Sequence, residues 1–256
     1  MNSVLEKEVS LEEKRGGLSG STLKLIAMVC MLIDHSAVLL IEQHLLGVYT
    51  VPGVVPLLGE GWMHVDIALR AIGRLAFPIF CFLLVEGFFT TRSRGRYIGR
   101  MALFCLVSEI PFDLAFSDRL VYNGYQSVYF TLSIGLLVLW AAEWVRGRDW
   151  KGFWRWTAVA AVLLAGMGLA NWLKTDYMAF GVLFIFLFYL MRDKGALLRN
   201  WVCGLACCWS VTAPLALIPI HRYNGQRGLG LKYVFYLFYP AHLLLLKGLQ
   251  VLIYDV

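Results

Sequence analysis

Two neighbouring ionisable residues, Asp34 and His35, lie about two-thirds of the way along the first long apolar run of the chain. A histidine can take a proton from a hydroxyl or amine nucleophile near neutral pH, and a carboxylate can orient it. Consecutive side chains on a helix point about 100° apart, so these two need not touch each other. The pair predicts either a general-base catalyst or a hydrogen-bonded pair near the end of a membrane helix.

Two further ionisable pairs have the i, i+4 spacing that places side chains on one face of a helix. Glu109 and Asp113 flank Pro111, which kinks a helix and frees a backbone carbonyl. Arg70 and Arg74 lie at the start of the second apolar run, where they can bind a phosphate or carboxylate or extend to lipid headgroups. The sequence leaves open whether the carboxylates belong to a reaction site or form a structural ion pair with these arginines.

The C-terminal part of the chain adds two candidates. Tyr239-Pro240 and His242 lie in the last apolar run, where the proline should kink the helix and where His242 has His35 as a potential partner. A histidine inside a bundle is more often a core residue with satisfied hydrogen bonds, so both interpretations of His242 stay open. Tyr223-Asn224-Gly225 has the pattern of a turn.

A cluster of arginines follows the second apolar run and includes Arg92, Arg96 and Arg100. Arginines in this position set the topology of a membrane protein, and they can also bind the phosphates of a soluble donor such as coenzyme A. No glycine-rich phosphate loop of the dinucleotide or P-loop kind occurs in the sequence. The six cysteines lie in apolar runs without the spacing of a zinc site, so we expect no metal.

These residues have to be positioned by elements that lie in a membrane. The chain has 256 residues, of which 59% are hydrophobic and only 16% charged, so a soluble globular enzyme is an unfavourable interpretation. Long unbroken apolar runs argue against a transmembrane barrel. The pattern predicts an all-α polytopic membrane protein with about eight transmembrane helices. We place them at residues 23–41, 72–89, 97–116, 127–145, 153–172, 177–191, 201–220 and 231–253.

Loop charges predict the orientation. The loops after the second, fourth and sixth predicted spans are rich in Arg and Lys, so the positive-inside rule places both termini in the cytoplasm. Residues 1–21 then form a cytoplasmic segment, and residues 22–256 form a single transmembrane domain. The loop at 221–232 would lie outside, where its arginines depart from the rule. The segment at 47–69 is a loop, a re-entrant segment or a surface helix.

The net charge of +6 is accounted for by the basic loops, and we expect no nucleic-acid partner. The partner that the composition implies is the lipid bilayer. The oligomeric state is open, and a homo-oligomer is compatible with the sequence.

Most of the polar positions described above belong to five short stretches of sequence: Met31-Leu32-Ile33-Asp34-His35, Gly73-Arg74-Leu75-Ala76-Phe77-Pro78, Ser108-Glu109-Ile110-Pro111-Phe112-Asp113, Tyr223-Asn224-Gly225 and Phe238-Tyr239-Pro240-Ala241-His242. Together these stretches resemble the TraX family of membrane proteins, and the similarity extends over residues 23–246. The chain is also distantly similar to membrane acyltransferases that use a histidine in an early span, such as heparan-α-glucosaminide acetyltransferase.

The resemblance implies a multi-pass acetyltransferase of the bacterial cytoplasmic membrane that uses acetyl-coenzyme A. The acceptor would be an amine or hydroxyl of a pilin-like protein or an envelope glycan at the outer face. We expect three catalytic residues, His35, Asp34 and Glu109. The residues expected to bind the donor are Arg74, Arg92, Arg96 and Arg100. Those expected to bind the acceptor are Asp113, Arg70, Tyr223, Asn224 and His242.

Two other functions compete with this prediction. Intramembrane carboxylates, histidines and kinked helices also suit a proton-coupled transporter or flippase, although the spans show no internal repeat. A scaffold that assembles a surface appendage without chemistry is the third alternative, but the cost of placing ionisable groups in a membrane argues against it.

Overall fold

The computed structural model of the protein describes residues 16–43, 60–207, 210–230 and 232–254. The described residues are helical, contain no β-strand and form two isolated bridges. Their ten α-helices follow in chain order: α1 (Gly20–Ser36), α2 (Glu60–Gly73), α3 (Ala76–Thr90), α4 (Arg94–Ser117), α5 (Val128–Arg146), α6 (Gly152–Trp172), α7 (Met178–Met191), α8 (Ala196–Ala206), α9 (Leu217–His221) and α10 (Lys232–Tyr254).

Local sequence signals explain where the two helices that carry the main candidate residues begin. At the start of α1, the Ser19 hydroxyl accepts a hydrogen bond from the backbone N–H of Thr22 at 3.2 Å. Ser93 caps α4 in the same way, through the N–H of Arg96. After Ser36 the α1 helix widens into a π-helix over Ala37–Glu42. Such turns occur frequently at functional sites.

Five helical stretches of the described chain are long and apolar enough to cross a membrane: Gly20–Glu42, Gly61–Thr90, Val128–Arg146, Gly152–Trp172 and Tyr233–Tyr254. They coincide with the first, second, fourth, fifth and eighth predicted spans. The third predicted span is present as the 24-residue helix α4, but its polar residues keep it outside this group. The sixth is the apolar helix α7, which has only 14 residues.

The helices alternate between two ends of one bundle. The basic end carries the connections at 91–93, 147–151 and 192–195, and the opposite end carries those at 118–127 and 173–177. At the basic end, Arg192 pairs with Glu86 at 3.0 Å. At the opposite end, Lys247 pairs with Asp118. Helix α10 starts near the basic end and finishes at the opposite end, where the Tyr254 hydroxyl donates to the Leu40 carbonyl at 2.7 Å.

The predicted span at 201–220 is not a single helix. Helix α8 ends at Ala206, and a short 3-10 turn and α9 return the chain to the basic end. There the side chain of Asn200, near the start of α8, lies 3.1 Å from His221 at the end of α9. This described part of the chain therefore enters the bundle and leaves at the same end, as a re-entrant hairpin does.

The connection after this hairpin packs on the beginning of α1 rather than at the opposite end. The N–H of Leu18 donates to the Arg222 carbonyl at 2.7 Å, and the N–H of Gly20 donates to the Gln226 carbonyl at 2.8 Å. The prediction that the 221–232 loop lies at the outer end is therefore wrong: the loop lies at the basic end, beside the start of α1. The prediction of eight spans with both termini on one side is not confirmed, because the described chain starts at the basic end and finishes at the opposite one. The predicted N-terminal segment lies mostly outside the described residues, as does the 47–69 segment before Glu60.

Candidate active site

The centre of the candidate site is a pair of histidines from the first and last long helices. His35 Nδ1 of α1 lies 2.7 Å from His242 Nε2 of α10, with the two rings almost parallel at a centroid distance of 5.0 Å. His242 Nδ1 lies 2.8 Å from the backbone carbonyl of Phe238, one turn earlier. Sequence reasoning anticipated this partnership, and the structure brings the two residues together across 207 positions.

The hydrogen-bond partners determine the proton positions in the neutral pair. A carbonyl oxygen only accepts, so His242 Nδ1 carries a hydrogen and donates it to Phe238. A neutral His242 then has a lone pair on Nε2, which accepts the hydrogen of His35 Nδ1. The Nε2 of His35 is left with a lone pair, and no described residue forms a hydrogen bond with it. That nitrogen can therefore accept a proton.

Asp34 does not orient His35. Its Oδ2 pairs with the guanidinium of Arg70 at 2.7 Å, and Arg70 Nε reaches Glu42 at 3.0 Å. Consecutive helical side chains diverge by about 100°, which explains why Asp34 and His35 face different neighbours. Arg70 therefore lies within a carboxylate network that also includes Asp66 of its own helix, next to Glu42.

Helices α1 and α2 approach closely at this network. A Cβ atom at Gly73 would lie only 2.1 Å from Oδ1 of Asp34. The glycine therefore permits a contact that any other residue type would obstruct. The Oδ1 atom is buried and has no hydrogen bond with any described residue.

Arg74 also belongs to the opposite end of the bundle, away from the basic loops. Its side chain hydrogen-bonds the hydroxyl of Tyr177, and it lies in electrostatic range of Asp176. The structure thus separates Arg74 from the other three arginines expected to bind the donor. Tyr177 in turn stacks on Phe77 at a centroid distance of 3.6 Å, which fixes the short connection before α7 to the start of α3.

Glu109 and Asp113 hold the connection between α4 and α5. Glu109 Oε2 lies 3.4 Å from the N–H of Ser127, and Asp113 Oδ2 accepts from the N–H of Tyr122 at 2.7 Å. The second carboxylate oxygen of each is buried, with no hydrogen bond among the described residues. Glu109 lies within electrostatic range of Tyr239, which adjoins the histidine pair. In each carboxylate, therefore, one oxygen contacts a backbone N–H of the connection between α4 and α5, and the other has no hydrogen bond within the described residues.

The sequence prediction gave no role to two residues of this region. Tyr239 lies beside the two histidines, and Asp176 lies in electrostatic range of Tyr239. Tyr239 is 3% exposed, and its ring meets that of His35 at 6.0 Å. Asp176 accepts a hydrogen bond from the Tyr125 hydroxyl at 2.7 Å, and its backbone carbonyl accepts one from Thr131. Burial raises the pKa of the Asp176 carboxyl to about 6. The Tyr239-Pro240 pair in an apolar run was a signal for the first residue, whereas Asp176 could not be distinguished from an ordinary loop residue.

The residues at the basic end do not join the histidines. Arg92 and Arg96 are exposed, and Arg100 hydrogen-bonds Tyr236 in the first turns of α10. Tyr223 packs edge-on against Phe82 with a centroid distance of 5.3 Å. These residues therefore form a separate region that faces the basic loops.

Asn224 has a structural role in the loop after α9. Its side-chain amide donates to the Gly17 carbonyl at 3.1 Å, and its Oδ1 accepts from the N–H of Gln226 at 2.9 Å. Within the described residues, no group of three or more His, Cys, Asp or Glu side chains is placed to hold a metal ion.

Comparisons with known proteins agree with this membrane architecture. The family model described as TraX protein matches residues 19–250, which is most of the chain. A probable fimbrial assembly protein, FimC of serogroup H1 from Dichelobacter nodosus, is 29% identical over 257 residues that cover 89% of this chain and 94% of the relative. No solved protein structure matches the chain.

Proposed function

The chain belongs to the TraX family, and from that premise we propose that it is a membrane acetyltransferase. It takes an acetyl group from acetyl-coenzyme A and transfers it to an amine or hydroxyl acceptor on the other side of the membrane. The observation that carries the proposal is the contact of 2.7 Å between His35 and His242, with His242 fixed by the Phe238 carbonyl. The relative from Dichelobacter nodosus is named as a fimbrial assembly protein, which favours a pilin-like acceptor over an envelope glycan.

In this proposal His35 is the general base and His242 is its positioning residue. The Nε2 lone pair of His35 takes the proton of the acceptor as the new bond to the acetyl group forms. The resulting imidazolium donates from Nδ1 to His242, so the pair stabilises the charge that develops. General-base catalysis of this kind contributes about 10²–10⁴-fold to a rate. Asp34 acts outside the proton transfer, in the network with Arg70.

The donor would approach from the basic end. Arg92 and Arg96 are exposed there, and Arg100 lies deeper, against the ring of Tyr97. Guanidinium groups bind phosphates through paired hydrogen bonds, which suits the phosphates of coenzyme A. The positive-inside rule supports a cytoplasmic position for this end, where acetyl-coenzyme A is made, and a location of the protein in the bacterial inner membrane is part of the proposal.

A proton-coupled transporter or flippase is the second candidate. One observation favours it: Asp34, Glu42 and Asp66 surround Arg70 near the histidine pair, as the groups of a proton relay would. The two functions differ in their ligand. Acetyl-coenzyme A should stabilise a transferase against heat, because it binds the folded protein, and should leave such a transporter unchanged.

The test is acetyl transfer by the purified protein in liposomes. Acetyl-coenzyme A is supplied with a peptide that has a free N-terminal amine or with a monosaccharide, and release of the coenzyme A thiol is followed. We expect saturable release of the thiol by the wild type. The rate should be about 10²-fold or more lower in His242→Phe, because the N–H at His35 Nδ1 loses the nitrogen that accepts its hydrogen bond. His221→Phe is the matched control, since that histidine lies at the basic end against Asn200. Equal rates in wild type and His242→Phe would contradict the role of the pair.

A further inference from the structure

The turn between α5 and α6, residues 144–156, combines exposed aromatic rings with basic side chains. Five of its rings are at least 44% exposed: Trp144, Trp150, Phe153, Trp154 and Trp156. Its basic residues are Arg146, Arg148, Lys151 and Arg155, and Asp149 is its one carboxylate, which leaves a formal net charge of +3. A contiguous exposed patch of large rings is typical of a surface that contacts a partner.

The helices on either side place this turn at the edge of a membrane. Both α5 and α6 are long and apolar enough to cross one, and α6 packs on α5 and α7. Only 17% of the most apolar stretch of α6 is buried in the protein, compared with 56% for α5. The neighbours of α6 on most of its surface are therefore lipids.

The rings and charges of the turn lie at similar depth. A helix rises 1.5 Å per residue, so the backbone of Trp144 lies about 3 Å before the end of α5, and that of Trp156 about 6 Å after the start of α6. Tryptophan rings and basic groups at the ends of membrane helices lie at the level of the lipid headgroups. The anions nearest to the turn are therefore lipid phosphates.

Three of the basic side chains have no acidic partner in the described part of the chain. Arg146 pairs with Glu143 at 3.2 Å. In contrast, Arg148, Lys151 and Arg155 form no ion pair with a described residue. Arg148 and Lys151 are also exposed. Their positive charge is therefore available to an anion from outside the chain.

Contacts within the turn hold the charges beside the rings. The guanidinium of Arg148 lies over the ring of Trp144, 4.1 Å from its centroid. Arg155 donates a hydrogen bond to the backbone carbonyl of Trp150 at 2.9 Å. A headgroup that reaches these cations would therefore have its glycerol and upper acyl region next to tryptophan rings.

We infer that the 144–156 turn binds anionic phospholipids, with Arg148, Lys151 and Arg155 around the headgroup phosphate. Guanidinium groups bind phosphate oxygens through paired hydrogen bonds. A zwitterionic headgroup also carries a cation, which the positive charge of the turn repels, so a lipid with a net negative charge is preferred. This inference does not depend on the acetyltransferase function.

The experiment titrates the detergent-solubilised protein with phosphatidylglycerol and, separately, with phosphatidylethanolamine, and native mass spectrometry counts the bound lipids. Wild type is compared with the double variant Arg148→Gln/Lys151→Gln. The matched control, Lys174→Gln/Lys194→Gln, removes two exposed charges outside the turn. Each basic residue near an anionic lipid surface contributes about fivefold to affinity, so the double variant should bind phosphatidylglycerol about 25-fold more weakly.

The control variant should bind phosphatidylglycerol within about threefold of wild type, because it keeps the three basic residues of the turn. Equal affinity of wild type and the double variant would overturn the inference, as would an equal loss in the control. It would also be overturned if wild type bound the two lipids equally. Millimolar inorganic phosphate should leave the lipid bound, and displacement would show a site for a soluble anion instead.

Two further measurements keep the result independent of folding. In nanodiscs of zwitterionic lipid all three proteins should unfold within about 2 °C of one another, because exposed substitutions change stability little. Phosphatidylglycerol in the nanodisc should then raise the unfolding temperature of wild type and control more than that of the double variant. A photoreactive phosphatidylglycerol should label residues 144–156 of the wild type, and labelling confined to other segments would overturn the inference.

Discussion

The close approach of α1 and α2 makes Gly73→Ala the sharpest structural test of how the site is held. The added Cβ would lie 2.1 Å from Oδ1 and 2.4 Å from Cβ of Asp34. Ordinary contacts of this kind begin near 3.4 Å, so the two helices must separate by more than about 1 Å. The side chain of Asp34 cannot simply swing away, because its own Cβ is one of the obstructing atoms. The separation also stretches the contact of 2.7 Å between Asp34 and Arg70.

Overpacking of this kind costs about 1–3 kcal/mol. A change of 1 kcal/mol shifts the unfolding temperature of a chain of this size by about 2–4 °C. We therefore expect Gly73→Ala to unfold about 2–12 °C below wild type. Transfer activity should fall as well, because α1 carries His35 directly after Asp34.

The matched control is Gly61→Ala in the same helix. No atom lies within 4 Å of the Cβ position at Gly61, and replacing a helical glycine with alanine stabilises a helix by about 0.5–1 kcal/mol. Thermal unfolding in detergent, followed by tryptophan fluorescence, compares the two variants with wild type. Gly73→Ala as stable as Gly61→Ala would refute the close contact between Asp34 and α2.

Two further predictions concern pH and topology. The pKa of about 6 for Asp176 exceeds the ordinary value of about 3.9, so its contribution to stability is complete below about pH 4 and is lost as the pH rises through 6. The unfolding free energy of Asp176→Asn should therefore decrease less over that interval than that of wild type, as measured by denaturant titration at several pH values; identical slopes would contradict the assignment. The topology is tested with single cysteines in a cysteine-free background and a membrane-impermeant maleimide. Gln226→Cys should react from the same side of the membrane as Asp149→Cys and from the side opposite to Asn123→Cys. Reaction of Gln226→Cys from the same side as Asn123→Cys would contradict the re-entrant hairpin.

The residues show what sequence could and could not predict. The all-helical membrane class follows from long apolar runs, and five of the predicted spans coincide with helices able to cross a membrane. Hydropathy failed at 201–220, because a hairpin that enters and leaves at one end is as apolar as a helix that crosses. Pro214 and Pro219 in that run were the available signal, since proline interrupts helical hydrogen bonding.

The residues of the candidate site could be predicted from the sequence only in part. The sequence offered His35 as a potential partner of His242, and the structure places the two nitrogens 2.7 Å apart. Adjacency in sequence suggested Asp34 as the partner of His35, but helical geometry directs Asp34 to Arg70 instead.

The most direct test of the acetyltransferase account is a calorimetric titration of acetyl-coenzyme A into the purified wild type and into His35→Ala, with acetyl transfer measured on the same samples. The account predicts saturable binding to both proteins and transfer by the wild type alone, because His35 supplies the base while the arginines of the basic end hold the donor. Near-normal transfer by His35→Ala would contradict the catalytic assignment. No binding to the wild type at millimolar donor would contradict the acetyltransferase function itself and favour a proton-coupled transporter.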